Sequence, residues 1–88
     1  MSTLPVIDLI ATGQNIAKKR KHAGYSVRQM QKILGFSTPQ AIYKWQRGES
    51  LPSIDNLAVL SAVLNVKMDD IIVYKTPDAP PEPTPEES

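Results

Sequence analysis

The chain has no cysteine, which excludes a disulfide framework and any thiolate metal site. Its one histidine, His22, has no partner at metal or catalytic spacing. There is no glycine-rich phosphate loop. Asp69 and Asp70 are adjacent, so on a helix they point in different directions. They read most simply as first-turn acids that complement a helix dipole. These absences argue against an enzyme and call for no cofactor and no metal. The apolar runs are too short to cross a bilayer. The opening MSTLPVIDLIATGQN has no basic segment ahead of its apolar stretch, so neither a signal peptide nor a transmembrane helix is expected. There is no internal repeat and no alternating run long enough to build a sheet.

What is present fits one small domain. A chain of 88 residues buries a modest core but folds without staples. Its net charge of +1 hides an asymmetry. All ten Lys and Arg lie at or before Lys75, while Asp78, Glu82, Glu86 and Glu87 lie beyond it. Residues 1–75 therefore carry ten positive and five negative charges, a balance that favours a polyanion partner. Residues 76–88, TPDAPPEPTPEES, hold five prolines and no large apolar residue. Such a segment cannot offset the entropy lost on ordering, so it is expected to be a disordered acidic tail. Its simplest role is passive; a partner-binding segment or an internal competitor for the basic surface is the sharper alternative.

The body divides into an N-terminal arm, residues 1–11, and a domain over residues 12–75. Thr12 is expected to cap a helix that runs to Ala23 and stops at Gly24. Ser26 with Gln29 three residues on makes a capping box for a second helix, with an apolar stripe of Val27, Met30, Ile33 and Leu34 and a stop at Gly35. Thr38 as cap and Pro39 at the first helical position open a third helix ending at Gly48. Ser53 caps a fourth, whose apolar face is Ile54, Leu57, Leu60, Val63 and Leu64, with Asn65 left-handed at its end. Residues VKMDDIIVY support a short fifth, packed through Met68, Ile71 and Ile72. The expected fold is all-α, a compact five-helix domain.

Two short helices joined by a tight turn at Gly35 form a helix-turn-helix pattern over about residues 26–47. The second helix of such a pair can lie in the major groove of DNA. Ile42 and Trp45 are the only large apolar residues available to face the core from it. At 100° per residue, Pro39, Gln40, Tyr43, Lys44 and Arg47 then lie on or beside the opposite face. Gln40 suits bidentate bonding to adenine, and Lys44 suits guanine or a phosphate. Tyr43 can stack on a sugar or donate to a phosphate. Ser26 and Arg28, at the start of the preceding helix, are placed for backbone contacts. On an isolated helix such polar residues would usually be solvated surface; it is the surrounding architecture that favours contact. Lys18, Lys19 and Lys21 read as a solvated face that adds long-range attraction.

The runs IAKKRKHAGYS, ILGFS, AIYKWQRGESLPSIDNLAVLSAVLNV and MDDII, between Ile16 and Tyr74, resemble the lambda-repressor/Cro-type helix-turn-helix family, also called the XRE family. WQRGESLPS is the most specific part. The resemblance implies a lambda-repressor-like fold in a bacterial or phage protein. It also implies double-stranded DNA as partner, usually a homodimer on a two-fold site, and a cytoplasmic, nucleoid-associated location. Base contacts would fall on Thr38, Pro39, Gln40, Tyr43 and Lys44. Phosphate contacts would fall near Ser26, Val27, Arg47 and Ser50. The side chain of Val27, often polar in the family, cannot itself make one.

Three positions depart from the family pattern. The turn between Gly35 and Ile42 is one residue longer. Gln31 stands where a small alanine is usual, and a longer turn leaves room for it. Gln46 replaces a common glutamate, so its pairing with Arg20 is reduced to a hydrogen bond. The function expected first is a sequence-specific transcriptional regulator, read as a repressor. The alternative is a protein-interaction module on the same fold, antitoxin-like or phage-derived. The arm (Val6, Ile7, Leu9, Ile10) and the fifth helix with Val73 and Tyr74 are the candidate dimer surfaces.

Overall fold

A computed structural model describes residues 5–75. Five helices are found: α1 (Leu9–His22), α2 (Val27–Leu34), α3 (Gln40–Arg47), α4 (Ile54–Leu64) and α5 (Met68–Ile71). Two short strands, β1 (Val6–Ile7) and β2 (Tyr74–Lys75), pair antiparallel, with Ile7 opposite Tyr74. The acidic tail and the first four residues of the arm lie outside the described residues.

Local signals set most helix ends. The amide of Gln29 donates to Ser26 Oγ at 3.1 Å and that of Ser26 to Gln29 Oε1 at 2.7 Å, which closes the capping box. Asn56 donates to Ser53 Oγ at 3.2 Å at the start of α4. Asn65 takes φ 55° after α4. Gly35 ends α2 at φ 74°, a left-handed step that a Cβ would oppose.

Two expected boundaries are corrected. Thr12 does not cap α1; Asp8 does, its Oδ1 accepting from Ala11 N–H at 3.0 Å. The helix therefore takes up Leu9, Ile10 and Ala11 from the expected arm, and Thr12 lies inside it, buried. There Thr12 Oγ1 accepts from Val73 N–H at 2.9 Å, while Asp8 N–H donates to Val73 O at 2.8 Å. Thr38 does not cap α3. Pro39 occupies the N-cap position with no side-chain cap, and the helix starts at Gln40. The two-residue sheet was also not expected: only chain closure brings Val6 and Ile7 beside Tyr74 and Lys75.

The core is one cluster of Ile16, Met30, Ile42, Trp45, Leu57, Leu60, Leu64 and Ile71. Val27, Leu34, Val63, Met68 and Ile72 pack against it half-buried, and two expected apolar-face residues turn away from it. Ile33 is exposed, and Ile54 is 74% exposed at the start of α4. Phe36, in the turn, meets Trp45 edge-on, with centroids 5.8 Å apart and planes at 70°, a favoured aromatic geometry.

α1 and α3 pack backbone to backbone. A Cβ built on Gly13 would lie 2.0 Å from Trp45 O and 2.9 Å from Gln46 O. Beyond this contact, Arg20 is buried. Its Nε donates to Gln46 Oε1 at 3.1 Å and its Nη1 to Tyr25 O at 2.8 Å. The expected hydrogen bond in place of the family's ion pair is therefore present. Among the described residues the guanidinium is held by neutral acceptors alone, which offset the loss of its hydration only in part.

Two outcomes follow from this seam. Gly13→Ala would gain about 1 kcal/mol of helix propensity at an ordinary site, but overpacking costs about 1–3 kcal/mol or more. We expect a net loss of about 2 kcal/mol in urea unfolding; a stabilised variant would disprove the close approach. Gln46→Glu should raise stability by about 1 kcal/mol, because an ionised acceptor strengthens the bond to the guanidinium. Unchanged or lower stability would show that Arg20 needs no countercharge.

Candidate nucleic-acid interface

The surface is built from α2, the turn and α3. Ile42 and Trp45 are only 2% and 4% exposed, so α3 cannot rotate about its axis without losing both from the core. That fixes which side chains are outward. Thr38, Gln40, Tyr43, Lys44 and Arg47 are exposed, and Pro39 is half-buried.

Two shallow grooves cross this surface. One is lined by Thr38, Pro39, Gln40, Tyr43 and Arg47. The other, between α2 and α3, is lined by Val27, Arg28, Gln31, Lys32, Pro39 and Tyr43. They share Pro39 and Tyr43, so the surface is continuous from Val27 to Arg47. Of the sequence-predicted residues, Lys44, Ser26 and Ser50 line neither groove. Ser26 and Lys44 are exposed beside them, and Ser50 is half-buried in the loop after α3.

Sequence reasoning missed Lys32 and placed Gln31 only as a departure. Lys32 follows Arg28 by four residues, which puts the two on one helix face; that spacing is the signal that could have found it. Gln31 is half-buried, and its Nε2 donates to Phe36 O at 3.2 Å. Its position fits the expected link between a longer turn and a larger side chain.

Charge is sharply segregated. Between Asp8 and Glu49 the chain has eight Lys and Arg and not one acid. This stretch contains the whole of α1, α2 and α3. The acids Asp55, Asp69 and Asp70 belong to α4 and α5. The exception at the rim is Glu49, whose carboxylate pairs with Arg47. Both side chains are at least half exposed, so the pair is weakly held. Among the described residues, no group of three His, Cys, Asp or Glu is placed to hold a metal ion, and no helix is long and apolar enough to cross a membrane.

The model of the helix-turn-helix family matches residues 16–71. Comparison with curated protein sequences gives no match. Several solved structures share the fold. The restriction-modification controller protein C.AhdI from Aeromonas hydrophila superposes with a TM-score of 0.65 at 22% identity, over 73% of this chain and 96% of that one. The clp gene regulator ClgR from C. glutamicum gives 0.61 at 21% identity, over 70% and 79%. The DNA-binding domain of BldD gives 0.63 at 16% identity, over 83% and 100%. With its capped α2, left-handed Gly35 and inward Ile42 and Trp45 lying inside the matched segment, the chain belongs to the XRE-type helix-turn-helix family.

Proposed function

We propose that the protein is a sequence-specific DNA-binding transcriptional regulator that reads the major groove with α3. The observation that carries this reading is the outward presentation of Gln40, Tyr43 and Lys44 on the side of α3 opposite Ile42 and Trp45. Gln40 offers one donor and one acceptor, the pattern that pairs with adenine N7 and N6. Lys44 donates to guanine or phosphate. Thr38 and Pro39 are small enough to let the start of α3 approach base edges. Because α3 lacks a side-chain cap, its first N–H groups are available to an acceptor on DNA.

Phosphates would be held around this reading head. Arg28 and Arg47 contribute charge, Ser26 and Ser50 contribute hydroxyls, and Val27 contributes its backbone N–H in the first turn of α2. Arg47 would exchange Glu49 for a phosphate at little cost, since the surface pair is worth under about 1 kcal/mol. The regulators and the DNA-binding domain that share the fold support this reading. Repression is the simplest mode, since occupying a promoter blocks it without further contacts. A homodimer would place two α3 helices one DNA turn apart. Val6, Ile10, Ile54 and Tyr74 are exposed apolar residues suited to such an interface. The tail over residues 76–88 is taken as a separate acidic segment.

A second reading, a protein-interaction module, is favoured by one feature. An apolar groove lined by Ile7, Thr12, Leu51, Pro52, Ile54, Leu57 and Ile72 lies apart from α3. Fluorescence anisotropy with pooled random DNA at low and moderate salt separates the two. Regulation of DNA requires salt-sensitive binding, with a log–log slope near −0.9 for each neutralised phosphate; none at micromolar protein would favour the second reading.

Two substitutions sharpen the test on a DNA site selected from random sequence. Gln40→Ala should cost about 1–3 kcal/mol there and relax one base position; unchanged affinities for selected and random DNA would remove Gln40 from the interface. Glu49→Gln should instead strengthen binding to all sequences, by up to about fivefold at low salt, because Arg47 loses its competitor. A weakened complex would place Arg47 away from the phosphates.

A further inference from the structure

We infer that Gln31 is the positioning residue that sets how α3 is presented to DNA, by clamping the turn residue Phe36 from both sides of its backbone. The inference rests on the reading of α3 as the DNA-contacting helix and adds to it a residue of α2 that acts through the turn.

The turn from α2 to α3 runs from Gly35 to Pro39. Among the described residues, the side chains of Ser37 and Thr38 make no hydrogen bond, and both residues are exposed. The start of α3 has no side-chain cap. Nothing polar in the last part of the turn therefore ties α3 to α2. The tie comes earlier. Phe36 N–H donates to Gln31 O at 3.0 Å, and Gln31 Nε2 donates to Phe36 O at 3.2 Å. Both polar backbone groups of Phe36 are thus held by one residue. Gly35 N–H adds a bond to Lys32 O at 3.1 Å.

The clamp is transmitted through the Phe36 ring, which packs edge-on against Trp45. Trp45 is the buried anchor of α3. Gln31 to Phe36 to Trp45 is a contiguous path from the surface of α2 to the core side of the reading helix. Gln31 also lines the groove between the two helices with Val27, Pro39 and Tyr43. An alanine at position 31 reaches neither the Phe36 carbonyl nor Pro39. In a turn with an additional residue, the distance left open by a small side chain is spanned by the glutamine amide.

The test uses the full chain. Gln31→Met keeps the length and helix propensity of the side chain and removes its donor; Gln31→Ala removes both. For each, affinity is measured for the selected site and for random DNA, well below the unfolding midpoint and with folding checked by circular dichroism. A positioning role predicts that discrimination between selected and random DNA falls by about tenfold in both variants, the loss expected when a half-buried carbonyl is left without its donor. Binding to random DNA and its salt slope should stay within about twofold, because Gln31 carries no charge and neither variant changes the number of cations facing phosphates. Equal discrimination in variant and wild type, or an equal loss on both DNAs, would overturn the inference.

A second measurement needs neither DNA nor a variant that folds. In the wild-type chain the side-chain amide protons of Gln31 should exchange with solvent more slowly than those of exposed Gln40. Equal rates would overturn the clamp. If the chain binds no DNA at all, the reading of α3 fails by itself. The clamp is then judged by that exchange rate and by whether Gln31→Met shifts the NMR resonances of Gln40–Tyr43.

Discussion

The backbones of α1 and α3 meet at Gly13 with no side chain between them. This contact holds α3 at a fixed distance from the longest helix of the domain. Ile42 and Trp45 then fix its rotation, because both must be buried together. The tilt of α3 depends further on the turn from α2, and there Phe36 joins the turn to Trp45. The outward row of Gln40, Tyr43 and Lys44 is a consequence of these constraints. None of the three residues holds itself in place.

Stability and surface chemistry make opposing demands along this seam. Arg20 is buried with Gln46 and a backbone carbonyl as acceptors and, among the described residues, no carboxylate within hydrogen-bond reach. A buried cation without a countercharge is an expensive arrangement. It nevertheless keeps the stretch between Asp8 and Glu49 free of acids, so no fixed negative charge within α1, α2 or α3 weakens attraction to a polyanion. The uncapped start of α3 has the same character. A cap would stabilise the helix by about 1 kcal/mol, but it would occupy the N–H groups that an acceptor on DNA would use. Departures from local rules are expected to gather at functional surfaces.

Much of the local structure around the candidate surface was legible because its signals are local. Ser26 with Gln29, Gly35, Ser53 and Asn65 act within one turn of the helix ends they set. The three-residue spacing of Ile42 and Trp45 was enough to orient α3. Thr38 was misread because its chemistry is that of a cap, while the path of the turn leaves Pro39 in that position. Lys32 was overlooked although it stands one helical turn after Arg28. Ile54 has the period of an apolar face, yet it sits at the first turn of α4, where the helix extends past the core.

By itself the sequence determined the helices, their stops and the inward anchors of α3, since caps, glycines and apolar period act over three or four residues. Tertiary structure decided what Gly13, Thr12, Asn15 and Gln31 are for. Gly13 is a contact surface for Trp45 O. Thr12 holds Val73, 61 residues away. Asn15 donates to the Asp70 and Ile71 carbonyls across a similar separation. Gln31 reaches over a turn whose path depends on where Phe36 finds Trp45. Each of these roles belongs to a partner distant in the chain or placed by the packing around it, and residue type alone carries no record of that partner.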